Sequence, residues 1–412
     1  MPGPRDAAIV GVHTTLQTRD SGGRTGLSYG LEALRGALDD AGLELKDIQG
    51  LFAQLSGWPN APSEGSGYYA MANWPYQLGI PINWLTGAVN AAGTGAAAIL
   101  DATAAIRMGS VDTVAIVLGA ARPAQPTGKT APWTWNAHEF TQWTGSITPA
   151  QFALVARRHM HEYGTTPEQL AAISVTIRNH ASINPAAVMF QRGPYTVDDV
   201  LTSRMIAEPL TVLMCALVND GGGALIMTTA ERARSLRKPP VYVLGGADQL
   251  SYPAYAEAPL LKRHVGGDFS REWVARGFAQ AGVSHDDIDV VELYDGFAIW
   301  ALMQLEMFGF CGEGEGGPLA QGNDLELDGR FPVCTDGGCQ AFSHNGTPSL
   351  FRPIEAVRQL RGEVMDLCPG WATGDHTYDR SICRKVRDPK IAFAAGMGPP
   401  TGGGNFCILA RD

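Results

Sequence analysis

Few side chains able to do acid–base or nucleophilic work stand in a pattern. Nine histidines are spread over 412 residues, and His159, His161, His180 and His376 lie among polar neighbours without ligand spacing, so none of these four takes a role. Seven cysteines, an odd number scattered from Cys215 to Cys407, suit reduced thiols rather than a disulfide framework. Only Cys334 and Cys339 are close together, and with no second pair at ligand spacing they do not make a zinc site. Tyr294 follows the strand-like run Val290-Val-Glu-Leu293. A tyrosine at a strand end can donate to or accept from an oxygen, or be hydrogen-bonded into its own loop. Asp295 beside it reads as a structural acceptor of backbone amides. Two glycine triplets, Gly221 to Gly223 and Gly402 to Gly404, can bring backbone N–H groups close to an oxygen or serve tight strand packing.

The elements that would carry these residues repeat. Leu31, Leu34, Leu38 and Ala41 recur at helical spacing until Gly42 stops the helix, and a strand follows near Gly50-Leu-Phe-Ala53. Some 240 residues later Val274, Phe278 and Ala281 keep the same stripe, Gly282 takes the stop, and Asp287-Ile288 matches Asp47-Ile48. Each half also ends alike, with a glycine triplet before a strand. We expect a first half over residues 1–232 and a second over 238–412, joined at Arg237-Lys-Pro-Pro240, since paired prolines cannot continue a helix. The first half is longer by an inserted cap, about residues 121–209. Alternating strands and helices in both halves imply an α/β architecture. Trp58, Trp74, Trp84, Trp133, Trp135 and Trp143 cluster with Tyr68, Tyr69 and Tyr76. Such density can line a pocket for a large flat ligand, anchor loops or form a subunit interface.

Hydrophobic residues at 45% and charged ones at 17% exclude disorder, and a net charge of −10 repels a phosphate backbone, which argues against nucleic acid as a partner. The apolar stretch Ala91 to Ile106 is interrupted by Thr94, Asp101 and Thr103 and is shorter than the ~20 residues of a membrane span. The opening Met1-Pro-Gly-Pro-Arg5 leads into too short an apolar run for a signal peptide, so the expected location is cytoplasmic.

Ala33 to Ile48, the block Arg204-Met-Ile-Ala-Glu-Pro-Leu210 with Asn219-Asp-Gly-Gly-Gly223, and Glu292-Leu-Tyr-Asp-Gly-Phe297 resemble the thiolase superfamily, in its sterol-carrier or lipid-transfer branch. The resemblance covers nearly the whole chain in order. It implies duplicated βαβαβαββ halves in five αβαβα layers, a homodimer, and acyl-CoA thioester substrates. A thiolase carries a nucleophilic cysteine before a helix of the first half, but Asn90-Ala-Ala-Gly-Thr-Gly95 puts Ala92 there. The second thiol, expected near Pro400 in Gly398-Pro-Pro-Thr-Gly-Gly-Gly404, is also missing. Cys407 is close by but falls in a predicted terminal strand, as a small buried residue.

What the resemblance leaves is an oxyanion site. His344, in Ser343-His-Asn-Gly346, matches the position of the family's Gly-His-Pro motif, and Tyr294 takes the place of the histidine in a His-Asp-Cys-Phe motif. Gly402 and Gly403 are the matching candidates for oxyanion and substrate contacts. The chain resembles the branch of cysteine-lacking aldolases that remove steroid side chains as short acyl-CoA units, leaving a ketone or aldehyde. That branch implies a small OB-fold, zinc-ribbon partner, fused to or accompanying a hydratase. It implies no metal and no cofactor beyond the CoA on the substrate. Two other readings stay open at this level: a non-catalytic lipid-transfer or scaffold subunit, and a thiolase or acyltransferase using a displaced Cys407 or Cys339.

Overall fold

The computed structural model describes residues 2–56, 74–87, 94–121, 148–250, 271–345, 348–364, 379–398 and 403–412. Helices of ten or more residues are α1 (Gly26–Ala41), α2 (Thr94–Arg107), α3 (Thr148–Tyr163), α4 (Pro167–Ser182), α5 (Arg271–Ala281), α6 (Ala298–Met307) and α7 (Phe351–Arg361). The strands are β1 (Ala7–Thr14), β2 (Gly50–Ser56), β3 (Trp84–Thr86), β4 (Thr113–Ala120), β5 (Met205–Ala207), β6 (Leu210–Thr211), β7 (Gly221–Thr229), β8 (Val241–Leu250), β9 (Val290–Glu292), β10 (Ile391–Gly398) and β11 (Gly403–Arg411).

Strand pairing makes the internal repeat visible. From the middle outward the first series runs β1, β7, β4, β2, and the second runs β8, β11, β10, β9. In both series the first three strands pair antiparallel and the last joins in parallel. β1 and β8 meet over only Ala8–Tyr242 and Ile9–Val241, so two sheets are hinged at one short antiparallel contact. The matching stops work alike: Gly42 and Gly282 adopt φ of 70° and 69°, which only glycine takes without strain. The short turns that follow, Leu45–Asp47 and His285–Asp287, are each closed by an aspartate that accepts from the main chain at its start.

Every residue of β4 and β7 is buried, because both sheet faces are covered. α1 lies on the outer face of the first sheet, where Leu34, Ala37, Leu38, Val10 and Val117 share a core. α2 and α7 lie between the sheets and touch strands of both series. Their Ile99, Ile354 and Val357 pack with Ile116, Leu225 and Cys407. α5 and α6 cover the outer face of the second sheet around Phe393 and Phe406. That is the five-layer αβαβα order expected.

The described part of the insertion, residues 148–209, contributes α3 and α4, which pack on α6 through Phe152, Ile173 and Trp300. One expectation about cysteines is corrected, since Cys383 is disulfide-bonded. Spacing alone does not show which thiols meet. Cys215, Cys311, Cys334, Cys339 and Cys407 are free thiols as read. Among the described residues no helix is long and apolar enough to cross a membrane.

Candidate active site

Tyr294 leaves β9 two residues past its end, and its main chain is held by a side chain from α6. Gln304 accepts from the Tyr294 N–H through Oε1 at 3.2 Å and donates Nε2 to the Tyr294 carbonyl at 2.6 Å, so its amide continues the strand. The ring folds back over Gly296, where a Cβ would stand 2.9 Å from the phenolic oxygen. Tyr294 is buried, with 7% of its surface exposed.

His344 arrives from a different direction, at the end of a π-helical turn spanning Gly338–Phe342. Such turns are rare and recur at functional sites. Two glycines start it, Gly337 and Gly338, with φ of 104° and 61°. A Cβ on Gly338 would fall 2.1 Å from the Asp295 carboxylate. That carboxylate accepts from the backbone N–H groups of Cys339 at 2.6 Å and Gln340 at 3.1 Å, the structural role expected of it. The residue next to Tyr294 thereby anchors the turn that delivers His344. The outcome is one hydrogen bond between the two candidates: Tyr294 Oη lies 2.9 Å from His344 Nε2. Which of the two donates depends on the imidazole tautomer.

Beneath this pair lies an ionic cluster with no access to water. Arg352 of α7, fully buried, binds Asp336 through two parallel bonds of 3.0 Å and reaches Glu292 at 3.3 Å. Glu292 in turn accepts from the Thr335 N–H at 2.9 Å and its hydroxyl at 2.8 Å. Burial pushes both carboxyls above their ordinary range, and Arg352 opposes that shift. The cluster fixes the end of β9 to the strand-like run before the π-helical turn.

The remaining candidates divide. The N-terminus of α2 docks beside the His344 loop, with the Gly95 N–H donating to Ser349 Oγ at 2.9 Å. Ala92, Pro400 and Gly402 lie outside the described residues. Gly403 opens β11, paired with Gly398 on one side and Leu250 on the other. The first glycine triplet serves packing: Cβ atoms at Gly221, Gly222 and Gly223 would approach Gln17 at 2.3 Å, the Tyr29 carbonyl at 2.8 Å and the Phe351 ring at 2.9 Å.

The cysteines weighed as displaced nucleophiles are both fully buried, and burial raises the Cys407 thiol to about 12 and that of Cys339 well above its ordinary value. Neither offers a thiolate at neutral pH. Of the aromatic cluster, Trp74 is a core residue packed under α1 against Gly30, while Tyr76 is exposed. Trp58, Tyr68, Tyr69, Trp133, Trp135 and Trp143 lie outside the described residues. His159 is tied to Thr165 at 2.7 Å and Glu306 at 3.1 Å, away from the site.

Sequence reasoning missed Gln304 and Arg352. Both had a signal: Gln304 is a lone amide in the apolar run Ala298-Ile-Trp-Ala-Leu-Met-Gln-Leu305, and Glu292 is a charge inside a buried strand, which demands a cation.

A thiolase C-terminal domain-like family model matches residues 269–368, the stretch that holds both Tyr294 and His344. A steroid side-chain-cleaving aldolase of Thermomonospora curvata is 34% identical, over 99% of this chain and 99% of its own. A 17-hydroxy-3-oxo-4-pregnene-20-carboxyl-CoA lyase of Mycobacterium tuberculosis is 34% identical, over 96% of this chain and 98% of its own. Among solved structures, an Ltp2-ChsH2(DUF35) aldolase superposes with a TM-score of 0.82 at 30% identity, covering 99% of this chain and 98% of that one. With the five layers and the duplicated strand order already in place, the chain belongs to the thiolase superfamily, in the lipid-transfer branch that includes these aldolases.

Proposed function

We propose that this protein is a carbon–carbon lyase that cleaves a β-hydroxyacyl-CoA thioester on a steroid side chain by a retro-aldol step. The products are a short acyl-CoA and a ketone or aldehyde on the ring system. The observation that carries the reading is the 2.9 Å bond between Tyr294 Oη and His344 Nε2, which joins the two residues that stand where the thiolase motifs carry histidines. Full-length relatives named as aldolase and lyase support the same chemistry.

The step needs a base for the β-hydroxyl and a stabiliser for the enolate. In the proposed relay the substrate hydroxyl gives its proton to Tyr294 Oη while Tyr294 passes its own to His344 Nε2. The Cα–Cβ bond breaks, Cβ becomes the carbonyl carbon, and the electron pair moves onto the thioester as an enolate. The imidazolium formed at His344 then stabilises that enolate until it gives its extra proton back to Cα, which restores the neutral imidazole. Base and enolate stabiliser are then successive moments of one proton path. No thiolate is required, in keeping with the depth at which Cys339 and Cys407 are buried.

Gly402 and Gly403 remain the proposed backbone contacts to the thioester oxygen. CoA arrives on the substrate, and the reading invokes no resident cofactor. We also propose two halves over residues 1–232 and 238–412, a homodimer, and a partner protein with an OB fold; the two names in Ltp2-ChsH2(DUF35) aldolase support a second subunit.

The test is to co-express the chain with a candidate OB-fold partner and follow ketone release from a β-hydroxyacyl-CoA steroid. Release that is lost in Tyr294→Phe supports the reading. Release that is indifferent to both Tyr294→Phe and His344→Ala removes the pair from the mechanism.

A further inference from the structure

His344 sits in the second half of the chain, yet the group that receives its backbone N–H comes from the first. Its backbone N–H donates to Asn219 Oδ1 at 2.7 Å. A backbone N–H can only donate, so this contact fixes the orientation of the Asn219 amide. Asn219 Nδ2 then donates to Ser343 Oγ at 2.9 Å and to the Asp220 carbonyl at 3.3 Å. Ser343 passes its hydroxyl proton to Gln17 Oε1 at 2.8 Å, and Gln17 Nε2 donates to the Thr15 carbonyl at 2.6 Å and the Gly222 carbonyl at 3.3 Å. Every bond has a defined direction. The chain is dry as well, with Gln17, Asn219 and Ser343 at 5%, 1% and 0% exposure.

The glycine at 221 belongs to the same device, since a Cβ there would lie 2.3 Å from the Gln17 carbonyl oxygen. Gln17 is thus enclosed between Ser343 and the start of β7. Two of the three polar atoms Asn219 contacts belong to Ser343 and His344 themselves.

We infer that Asn219, braced through Ser343 by Gln17, is the positioning residue that sets the His344 imidazole against the Tyr294 hydroxyl. It touches neither ring. It fixes the backbone from which the imidazole projects, so the first half of the chain sets the geometry of a proton path located in the second. The inference rests on the proton relay proposed above.

The experiment measures kcat and KM for ketone release by Asn219→Ala, Asn219→Asp, Ser343→Ala, Tyr294→Phe and the double variant Asn219→Ala/Tyr294→Phe, with thermal melting as the check on folding. A misplacement of about 1 Å can cost ~10²-fold, so Asn219→Ala is expected to lower kcat by that order with KM held within roughly three-fold. Asn219→Asp keeps the acceptor for the His344 N–H and should recover about ten-fold of the loss. Adding Tyr294→Phe to Asn219→Ala should cost little more, because both disable one path. A folded Asn219→Ala protein with wild-type kcat overturns the inference, as does a double variant whose losses multiply fully. Should Asn219→Ala not fold, Ser343→Ala decides: lowered kcat at constant KM supports the role, and wild-type kcat refutes it. Failure of the relay itself looks different, as wild-type turnover by Tyr294→Phe alone.

Discussion

If the Tyr294 phenol and the His344 imidazole form the proposed proton path, its members do not act independently. Tyr294→Phe preserves the ring that packs over Gly296 and deletes only the oxygen. It should lower kcat by at least ~10²-fold with folding unchanged, the lower range for positioned general-base catalysis. His344→Ala removes the proton acceptor and the later enolate partner, for which a loss of roughly 10² to 10³ in kcat is expected. If both serve one transition state, the double variant loses far less than the product of the two. Single-turnover rates of the four proteins would check this. The thiols make the opposite prediction. With burial raising Cys407 to about 12 and Cys339 well above its ordinary value, iodoacetamide should leave turnover intact. Cys407→Ala should stay within a few-fold of wild type. A folded but inactive Cys407→Ala protein would return sulfur to the mechanism. His344 and Tyr294 were legible in the sequence only through their motifs, because nothing in their spacing announces a contact across 50 residues. Gln304, which holds the Tyr294 main chain, shows in the sequence only as a lone amide in an apolar run, and the motif that contains Asn219 does not show its contact with the His344 N–H.

The elements around the site are joined by buried charge rather than by apolar packing alone. Arg352 of α7 meets Asp336 and Glu292 where none of the three reaches water. Replacing Arg352 by Met leaves two buried carboxyls without their cation, which costs about 3–5 kcal/mol in comparable clusters. Chemical denaturation should show that loss, together with weaker activity from a loosened π-helical turn. Lys385 supplies a pH signature in the same region. Burial lowers its pKa from 10.5 to about 7, with Arg411 adding repulsion. Between those values the unfolded chain binds a proton that the folded chain does not, so this group makes stability rise with pH from about 7 upward. Below 7 both states are protonated and the full penalty is present. The melting temperature of wild type relative to Lys385→Met should therefore increase from pH 7 to pH 9, and parallel curves would refute it. Helices and strands were legible because their periodicity and glycine stops are local, as at Gly42 and Gly282. The π-helical turn was not, because its cause is the distant carboxylate of Asp295.

At the scale of the molecule, the strand order is duplicated about the contact between β1 and β8. The first series carries one strand more than the second: β9 ends the sheet on one side and is buried along its length, whereas on the other side β3 lies beyond β2 and its side chains are only partly covered. An edge strand presents unpaired N–H and C=O groups, and a second copy related by a two-fold axis can satisfy them by antiparallel addition. The sequence could announce the halves, since each repeats its own signals, but not the contact between β1 and β8, which spans two residue pairs and leaves no periodic trace. Nor could it show what caps the β3 edge. We expect the purified chain to be at least dimeric by itself. Replacing Leu85, the middle residue of β3, by Pro removes the one N–H at the centre of that strand and should shift the population toward monomer. Light scattering of the two proteins at matched concentration is the measurement. A monodisperse wild-type monomer would contradict assembly through this edge, and a dimer unaffected by Leu85→Pro would move the interface elsewhere.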